Sequence, residues 1–148
     1  MQCPSVILIA FLCLTANLPA ADLTSIQQEP NLERRSQLAM DYAGTALDTA
    51  RTAYQASDLA KTQSALDEVG EAVDLAFDSL QKTGKEARRD PKFFKRTELS
   101  TRQLLRRIEG LAESMSFQDR SLVEKLRERV AAIHDDLLQG IMSKKKKS

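Results

Sequence analysis

Residues 59–80, LAKTQSALDEVGEAVDLAFDSL, carry the clearest pattern in the 148-residue chain. In this stretch, apolar and small side chains recur in alternating steps of three and four residues. This spacing places them on one side of an α-helix as a heptad stripe. The stretch therefore predicts an amphipathic helix. The stripe consists of Leu59, Thr62, Leu66, Val69, Val73, Ala76 and Leu80.

Three other stretches show the same helical periodicity, one before residues 59–80 and two after them. Together the four stretches predict helices of about 22 to 26 residues, each roughly 33–39 Å long. Their apolar positions are Met40, Ala43, Leu47, Ala50 and Tyr54 in the first, Phe94, Thr101, Leu104, Ile108, Leu111 and Met115 in the third, and Val123, Leu126, Val130, Ile133 and Leu137 in the fourth.

Capping and breaking residues separate the four stretches. Ser, Asp and Asn side chains accept hydrogen bonds from the free amides at a helix start, Pro fits the first turn, and Gly commonly follows the last turn. The expected starts are Asn31, Ser57-Asp58, Asp90-Pro91, and Ser116 with Asp119, and the expected stops are Gly84 and Gly140.

Short connectors make sequential helices antiparallel neighbours. Residues 31–142 therefore predict an all-α fold, an up-down-up-down antiparallel four-helix bundle. The alternative is a pair of longer hairpins that swap between two chains, so a homodimer stays open. Gly44 and Gly70 fall at the same level of the first two helices, which predicts a close approach of those helices.

The first 20 residues predict an export signal. Residues 6–14 are an unbroken apolar run, too short to cross a bilayer, and small residues around Pro19 follow it. Cleavage after Ala20 or Ala21 would leave a mature chain with no transmembrane span, in the periplasm or outside the cell. An uncleaved apolar tail is the alternative. Residues 21–30 are expected to be a flexible lead-in and residues 143–148 a disordered lysine tail.

The residue content argues against most enzyme chemistry. Cys3 and Cys13 both lie in the predicted signal, and His134 is the single histidine, so the mature chain lacks the His and Cys ligands of a zinc site. Neither a G-x-S-x-G elbow nor a Gly-rich phosphate loop occurs. We therefore expect a protein without enzymatic activity, metal or cofactor.

The net charge of the whole chain is close to zero, but its two halves carry net charges of opposite sign. Residues 21–84 hold 11 acidic and five basic residues, whereas residues 85–148 hold 10 acidic and 17 basic residues. One interpretation is internal pairing of the second and third helices, with Glu71 near Arg102. The other is a surface for an anion or a partner, formed by Lys85, Arg88, Arg89, Lys92, Lys95, Arg96, Arg102 and Arg106, together with Arg107. Export argues against nucleic acid as the partner.

Two short patterns resemble known families. Met40 and His134 would lie at similar depth if the first and last helices were adjacent, which resembles the haem ligation of exported cytochrome b-type four-helix bundles. That resemblance implies a haem carrier, whereas a core Met40 and a boundary His134 are the simpler interpretation. Residues 23–27, LTSIQ, match the L-T-x-x-Q motif of a periplasmic chaperone family that forms cradle-shaped helical dimers.

These observations predict an exported, non-enzymatic helical bundle that acts by binding, as an interaction or chaperone-like protein. Its partner would be a protein or an anionic surface. The alternative function is a carrier of a small ligand or haem, with its site between the first and last helices.

Overall fold

The computed structural model describes residues 22–143. Within that range the chain forms only helices and connectors, so the expected all-α class is confirmed. The predicted signal peptide and the lysines at 144–147 lie outside the described residues. The helices are α1 (Leu23–Gln27), α2 (Leu32–Gln55), α3 (Leu59–Lys82), α4 (Pro91–Ser114) and α5 (Ser121–Met142).

Three of the predicted helix ends are formed by the local hydrogen bonds or backbone conformation that the sequence indicates. Asn31 Oδ1 accepts a hydrogen bond from the Arg34 amide at 2.9 Å, and Asp58 Oδ1 accepts one from the Lys61 amide, also at 2.9 Å. Gly84 follows α3 with a φ of 67°, a left-handed conformation that glycine adopts without steric cost. These three signals were therefore predicted correctly.

Three end signals work differently from the prediction. Ser116 and Asp119 do not cap α5, which begins at Ser121 with Arg120 as an N-cap that forms no side-chain hydrogen bond.

The other two signals are Asp90-Pro91 and Gly140. Asp90 precedes Pro91 but caps no amide of α4, and its carboxylate instead lies 3.1 Å from Lys85 Nζ. Gly140 does not end α5, which continues to Met142. A Cβ at position 140 would lie 3.4 Å from the Ala87 Cβ, so the α3–α4 connector packs closely against α5 at this glycine.

The lead-in is more ordered than its sequence predicted. Asp22 Oδ1 accepts a hydrogen bond from the Ser25 amide at 2.7 Å and thereby starts α1. Ile26 projects from α1 into the core and is only 3% exposed. The buried Ile26, the partly buried Leu23 and the Asp22 cap hold this short helix against the bundle, although they form no periodic pattern.

Helices α2 and α3 make the most extensive contact in the molecule. Their facing surfaces are rich in alanine, which lets two helix backbones approach closely. Larger side chains from α4 and α5 complete the core. Residues at most 1% exposed include Ala39, Ala43 and Ala50 in α2, Ala72 and Ala76 in α3, Ile108 and Leu111 in α4, and Val130 and Leu137 in α5.

Helix α4 lies beside α2 and runs in the same direction. Contacting residues increase together along the two helices, from the Ser36 and Thr97 hydroxyls at 3.3 Å to the Gly44 carbonyl and Arg107 Nη2 at 3.0 Å. At the C-terminal end of α2, the Tyr54 hydroxyl accepts a hydrogen bond from the amide of residue 116, just after α4, at 2.9 Å. The third helix of the sequence is therefore a neighbour of the first.

Helix α5 lies beside α3 and is antiparallel to α4. Arg129 of α5 reaches Asp74 of α3, with 2.9 Å between Nε and Oδ1. His134 of α5 contacts Glu98 of α4 at 3.0 Å. Helices α3 and α4, although consecutive, share few contacts. The expectation that all consecutive helices are neighbours is therefore wrong for this pair.

Gly44 and Gly70 also have a different role from the predicted helix approach. A Cβ at position 44 would lie 3.2 Å from Arg107 Nη1, and one at position 70 would lie 2.9 Å from Arg129 Nη1. Each arginine continues to the aspartate four residues further along, Asp48 or Asp74. The two glycines thus leave space for two equivalent arginine–aspartate ion pairs. One pair joins α4 to α2, and the other joins α5 to α3.

The predicted ion pairs between the second and third helices are not formed among residues 22–143. Arg102 binds Glu98 of its own helix, and Asp67 accepts a hydrogen bond from Gln63 at 2.8 Å. The α3–α4 connector, residues 83–90, takes α4 away from α3 and places it against α2 and α5. The acidic residues on the surface of α3 and the basic residues on the surface of α4 therefore face different directions.

Double-mutant cycles distinguish the observed α3–α5 ion pair from the predicted α3–α4 ion pair. We expect Asp74→Ala and Arg129→Ala to show a coupling free energy of about 0.2–1 kcal/mol, as an exposed ion pair does, and to lose it at high salt. The Glu71→Ala and Arg102→Ala changes should be additive. Urea unfolding monitored by circular dichroism measures both cycles. Coupling between positions 71 and 102 would contradict the observed helix arrangement.

None of the helices formed by residues 22–143 combines the length and the apolar content needed to span a bilayer.

Candidate functional site

The outward surface of α4 is positively charged along most of its length. Residues 91–108 of this helix contain a single acidic residue, Glu98, and its side chain is buried. We call the five exposed cations the basic face of α4, and Leu99, 51% exposed, lies among them. The basic face consists of Lys92, Lys95, Arg96, Arg102 and Arg106.

Four of the predicted basic residues are bound to acidic partners. Lys85 Nζ lies 2.5 Å from Glu33 and also contacts Asp90, and Arg89 Nε lies 3.0 Å from Glu86. Hydrogen bonds to Glu33 and then to Asp90 raise the pKa of Lys85 above its ordinary value. The remaining two pairs are Arg102 with Glu98 and Arg107 with Asp48.

The other predicted basic residues keep their charge available. Within residues 22–143, Arg88, Lys95 and Arg106 form no ion pair. Arg96 donates a hydrogen bond to the neutral Gln37 at 2.9 Å, and Lys92 lies 5.4 Å from the centre of the Phe93 ring. These five cations are not neutralised by carboxylates of the described chain.

The acidic surface of α3 lies elsewhere on the molecule. Asp67, Glu68, Glu71 and Asp78 are exposed, and Glu68 Oε2 accepts a hydrogen bond from the Tyr42 hydroxyl at 2.6 Å. That bond to a carboxylate raises the pKa of Tyr42 to about 12. Because α2 and α5 are the main neighbours of both helices, the acidic surface of α3 does not cover the basic face of α4.

A buried carboxylate connects two of the predicted site residues. Glu98 is 4% exposed, and its Oε1 lies 3.1 Å from Arg102 Nε and 3.0 Å from His134 Nε2. His134 Nδ1 is 3.3 Å from Asp135 Oδ1. The cluster gives a buried charge a cationic partner and hydrogen bonds, which a carboxylate requires inside a protein.

Sequence reasoning missed Glu98, although a signal was present. The inward stripe of α4 passes from Phe94 to Thr101, a gap of seven residues, and a step of four from Phe94 ends at Glu98. A carboxylate at a stripe position predicts a partner across the interface. His134 is that partner, so its position is explained by the α4–α5 contact.

The structure does not bring Met40 and His134 together. Met40 is buried beside Gly44, Leu104 and Arg107 in the groove between α2 and α4. His134 lies between α4 and α5 against Glu98. The adjacency of the first and last helices that the haem resemblance requires is therefore absent from the arrangement of α2 and α5.

One end of the molecule contains an open cavity of about 470 Å³. The α3–α4 connector contributes Lys85, Arg88 and Arg89 to its wall, and the buried Phe94 and Leu137 contribute apolar surface. Volumes of this size are typical of small-ligand sites. The wall also contains Glu86 and Asp136, so the cavity is mixed in charge.

Comparison with known proteins found no family model that matches the chain, and no curated protein or solved structure with significant similarity to it. The L-T-x-x-Q residues form α1, and their resemblance to the chaperone motif gains no support from these comparisons.

Proposed function

We propose that the protein is exported, has no enzymatic activity, and binds an anionic partner through the basic face of α4. In this proposal α2–α5 form an up-down-up-down four-helix bundle in which α4 lies between α2 and α5. The bundle holds α4 as a rigid rod along which the positive side chains are displayed. The partner is a protein or another anionic surface.

The observation that carries the proposal is the charge of the basic face itself. Between residues 91 and 108, five exposed cations occur along α4 and the single acidic residue is buried. Mixed signs are usual on solvated helix surfaces, and a surface of one sign attracts oppositely charged partners and speeds their association. Among the described residues Arg102 pairs with Glu98, whereas Lys92, Lys95, Arg96 and Arg106 pair with no carboxylate and no α3–α4 ion pair is formed, which supports an outward role for these four cations.

The export part of the proposal is supported by the sequence of residues 1–20. The apolar run, its length and the small residues after it are typical of a signal peptide. Mass spectrometry of the protein from its own source should give a chain that begins at Ala21 or Asp22. A chain that retains Met1 would contradict it.

The alternative function of a haem carrier has no geometric support, since Met40 and His134 contact different helix pairs. Haem addition to the purified protein, followed by absorbance spectroscopy, should therefore give the spectrum of free haem.

Heparin affinity chromatography tests the binding proposal with a defined polyanion. Lys95→Glu with Arg106→Glu should lower the salt concentration needed for elution much more than a matched control does. The control is Lys125→Glu with Arg127→Glu, which makes the same change in net charge at exposed positions of α5. Equal shifts for the two variants would mean that net charge, and not the basic face of α4, governs retention.

A further inference from the structure

The basic face of α4 has a counterpart of opposite sign on the same molecule. Between residues 62 and 81, α3 contains five acidic residues and no basic residue. The exposed charges of α2 have both signs, as Arg34 and Asp41 show, and those of α5 also have both signs, as Glu124 and Lys125 show. Of the four long helices, α3 and α4 are therefore the two that present a surface on which one sign of charge prevails.

The acidic surface of α3 keeps carboxylates available for a partner outside the chain. Within residues 22–143, Asp67, Glu71 and Asp78 form no ion pair, whereas Asp74 is bound to Arg129. The hydrogen bond that Asp67 accepts comes from a neutral glutamine side chain and leaves its charge in place. Three exposed carboxylates of α3 are thus not neutralised by cations of the described chain.

These three carboxylates match three cations of α4 in their spacing. The carboxylates are separated by steps of four and then seven residues, and the cations by steps of seven and then four, so each set lies on one side of its helix and extends over about 16 Å. Because the order of the steps is reversed, the two sets coincide when the helices are antiparallel. The coinciding positions are Asp67 with Arg106, Glu71 with Arg102, and Asp78 with Lys95.

A single chain cannot join its own two charged surfaces. Helices α2 and α5 are the main neighbours of both α3 and α4, and α3 and α4 share few contacts with each other. The acidic surface of α3 and the basic face of α4 therefore lie on opposite sides of the molecule. A second copy of the chain can bring its own acidic surface to the basic face of the first.

The basic face of α4 is suited to contact with another helix. Leu99, 51% exposed, lies at its middle, one turn from both Lys95 and Arg102. The apolar stems of lysine and arginine side chains extend the apolar contact that Leu99 offers. The Arg102 side chain remains 45% exposed although it binds Glu98, and a guanidinium group has five N–H donors, so it can bind a second carboxylate.

We infer that the basic face of α4 binds the acidic surface of α3 in a second copy of this chain, with the two helices antiparallel. This inference rests on the proposed function and names its partner. Because each copy uses a different surface toward each of its two neighbours, the contact joins copies head to tail into open chains or rings. The net charge of +1 for the whole chain produces little overall repulsion between copies.

Sedimentation velocity over a range of protein concentrations tests the inference. The protein is used in the form that mass spectrometry identifies in its own source. At low salt we expect the average mass to rise with concentration and to exceed the mass of two copies. At about 1 M salt, where the screening length falls to about 3 Å, the average mass should return to that of one copy.

Charge reversal on either helix should remove the association. Glu71→Lys with Asp78→Lys on α3 should weaken it at least about tenfold, because repulsion replaces attraction at two positions. Lys95→Glu with Arg106→Glu on α4 should weaken it to a similar extent. An equimolar mixture of the two variants should associate again, since each variant keeps the surface that the other has lost.

Matched control variants make the same changes in net charge at exposed positions of α5. Both controls should associate as the original protein does, and circular dichroism should show all four variants folded. The controls are Glu124→Lys with Glu128→Lys, and Lys125→Glu with Arg127→Glu.

The outcomes separate this inference from the proposed function. The mass of one copy at every concentration in low salt would overturn the inference, and heparin retention that depends on Lys95 and Arg106 would then leave the proposed function standing. Association that survives reversal on α3 or α4, that the α5 controls lose equally, or that stops at two copies would also overturn the inference. The mass of one copy together with equal heparin shifts for the α4 and α5 variants would overturn both.

Discussion

Replacing Leu66 by Asp should lower the free energy of unfolding by about 4 kcal/mol or more. Leu66 is 2% exposed and lies close to Gly70 and Leu126, where α3 meets α5. The substitution removes buried methyl groups and leaves a carboxylate without a cationic partner in the core. Urea unfolding followed by circular dichroism measures the loss as a lower transition midpoint.

The control for Leu66→Asp is Ser64→Asp, two residues earlier on the exposed side of α3. It introduces the same charge into the same helix, and it should change stability by no more than about 0.5 kcal/mol. Leu59 is itself 46% exposed, so the predicted stripe faces the core only from Thr62 to Leu80. If both variants unfolded at the same urea concentration as the original protein, that part of the stripe would not face the core either.

Replacing Ala43 by Leu should destabilise the protein by about 1–3 kcal/mol, because the larger side chain has no space between α2 and α3. Ala43 has no exposed surface and belongs to α2, which shares with α3 the most extensive helix contact among the described residues. The added methylenes must push α2 from α3 or displace neighbouring core side chains. Thermal and urea unfolding both report the change.

Ala132→Leu provides the comparison for Ala43→Leu. Ala132 is exposed within α5, and leucine and alanine are both good helix formers, so this variant should unfold close to the original protein. A stable Ala43→Leu variant would mean that the α2–α3 contact has space the structure does not show. A destabilised Ala132→Leu variant would indicate a contact of α5 with another chain.

The helix content of this chain was predictable because its signals are local. The three-and-four spacing from Leu59 to Leu80 predicts the helix that the structure has over Leu59–Lys82. Asn31 and Asp58 cap helices because their side chains reach amides three residues away. Gly84 was identified for the same kind of reason, since its left-handed conformation is a preference of a single residue.

Local signals missed α1 and the buried Glu98. Leu23 and Ile26 are two apolar residues in an otherwise polar segment, and the burial of Ile26 depends on a space between other helices. Glu98 is stable in the core because Arg102 lies one turn further along α4 and His134 lies on α5. The i, i+4 spacing of Glu98 and Arg102 is visible in the sequence, whereas the contact with His134 requires two helices to be placed side by side.

At the candidate site, the sequence predicted where the basic residues are concentrated, and the tertiary structure decided which of them form ion pairs. Their concentration after residue 85 was evident from charge alone, and the sequence left open whether they pair internally or face outward. Among the described residues, Arg107 and Arg129 bridge to α2 and α3, whereas Arg88, Lys95 and Arg106 pair with no carboxylate. Helix placement, and not residue type, separates these two groups.

By itself, the sequence determined that the chain is helical, where three of its four long helices begin, and which side of each helix is apolar. Those properties follow from hydrogen bonds and side-chain spacing within a few residues of the chain. Tertiary structure alone decided that α4 lies against α2 and α5. A heptad stripe is satisfied by any apolar neighbour, and residues 83–90 are long enough to reach more than one position. That choice depends on the sum of many weak contacts between distant residues, and it places the basic face of α4 away from the acidic surface of α3.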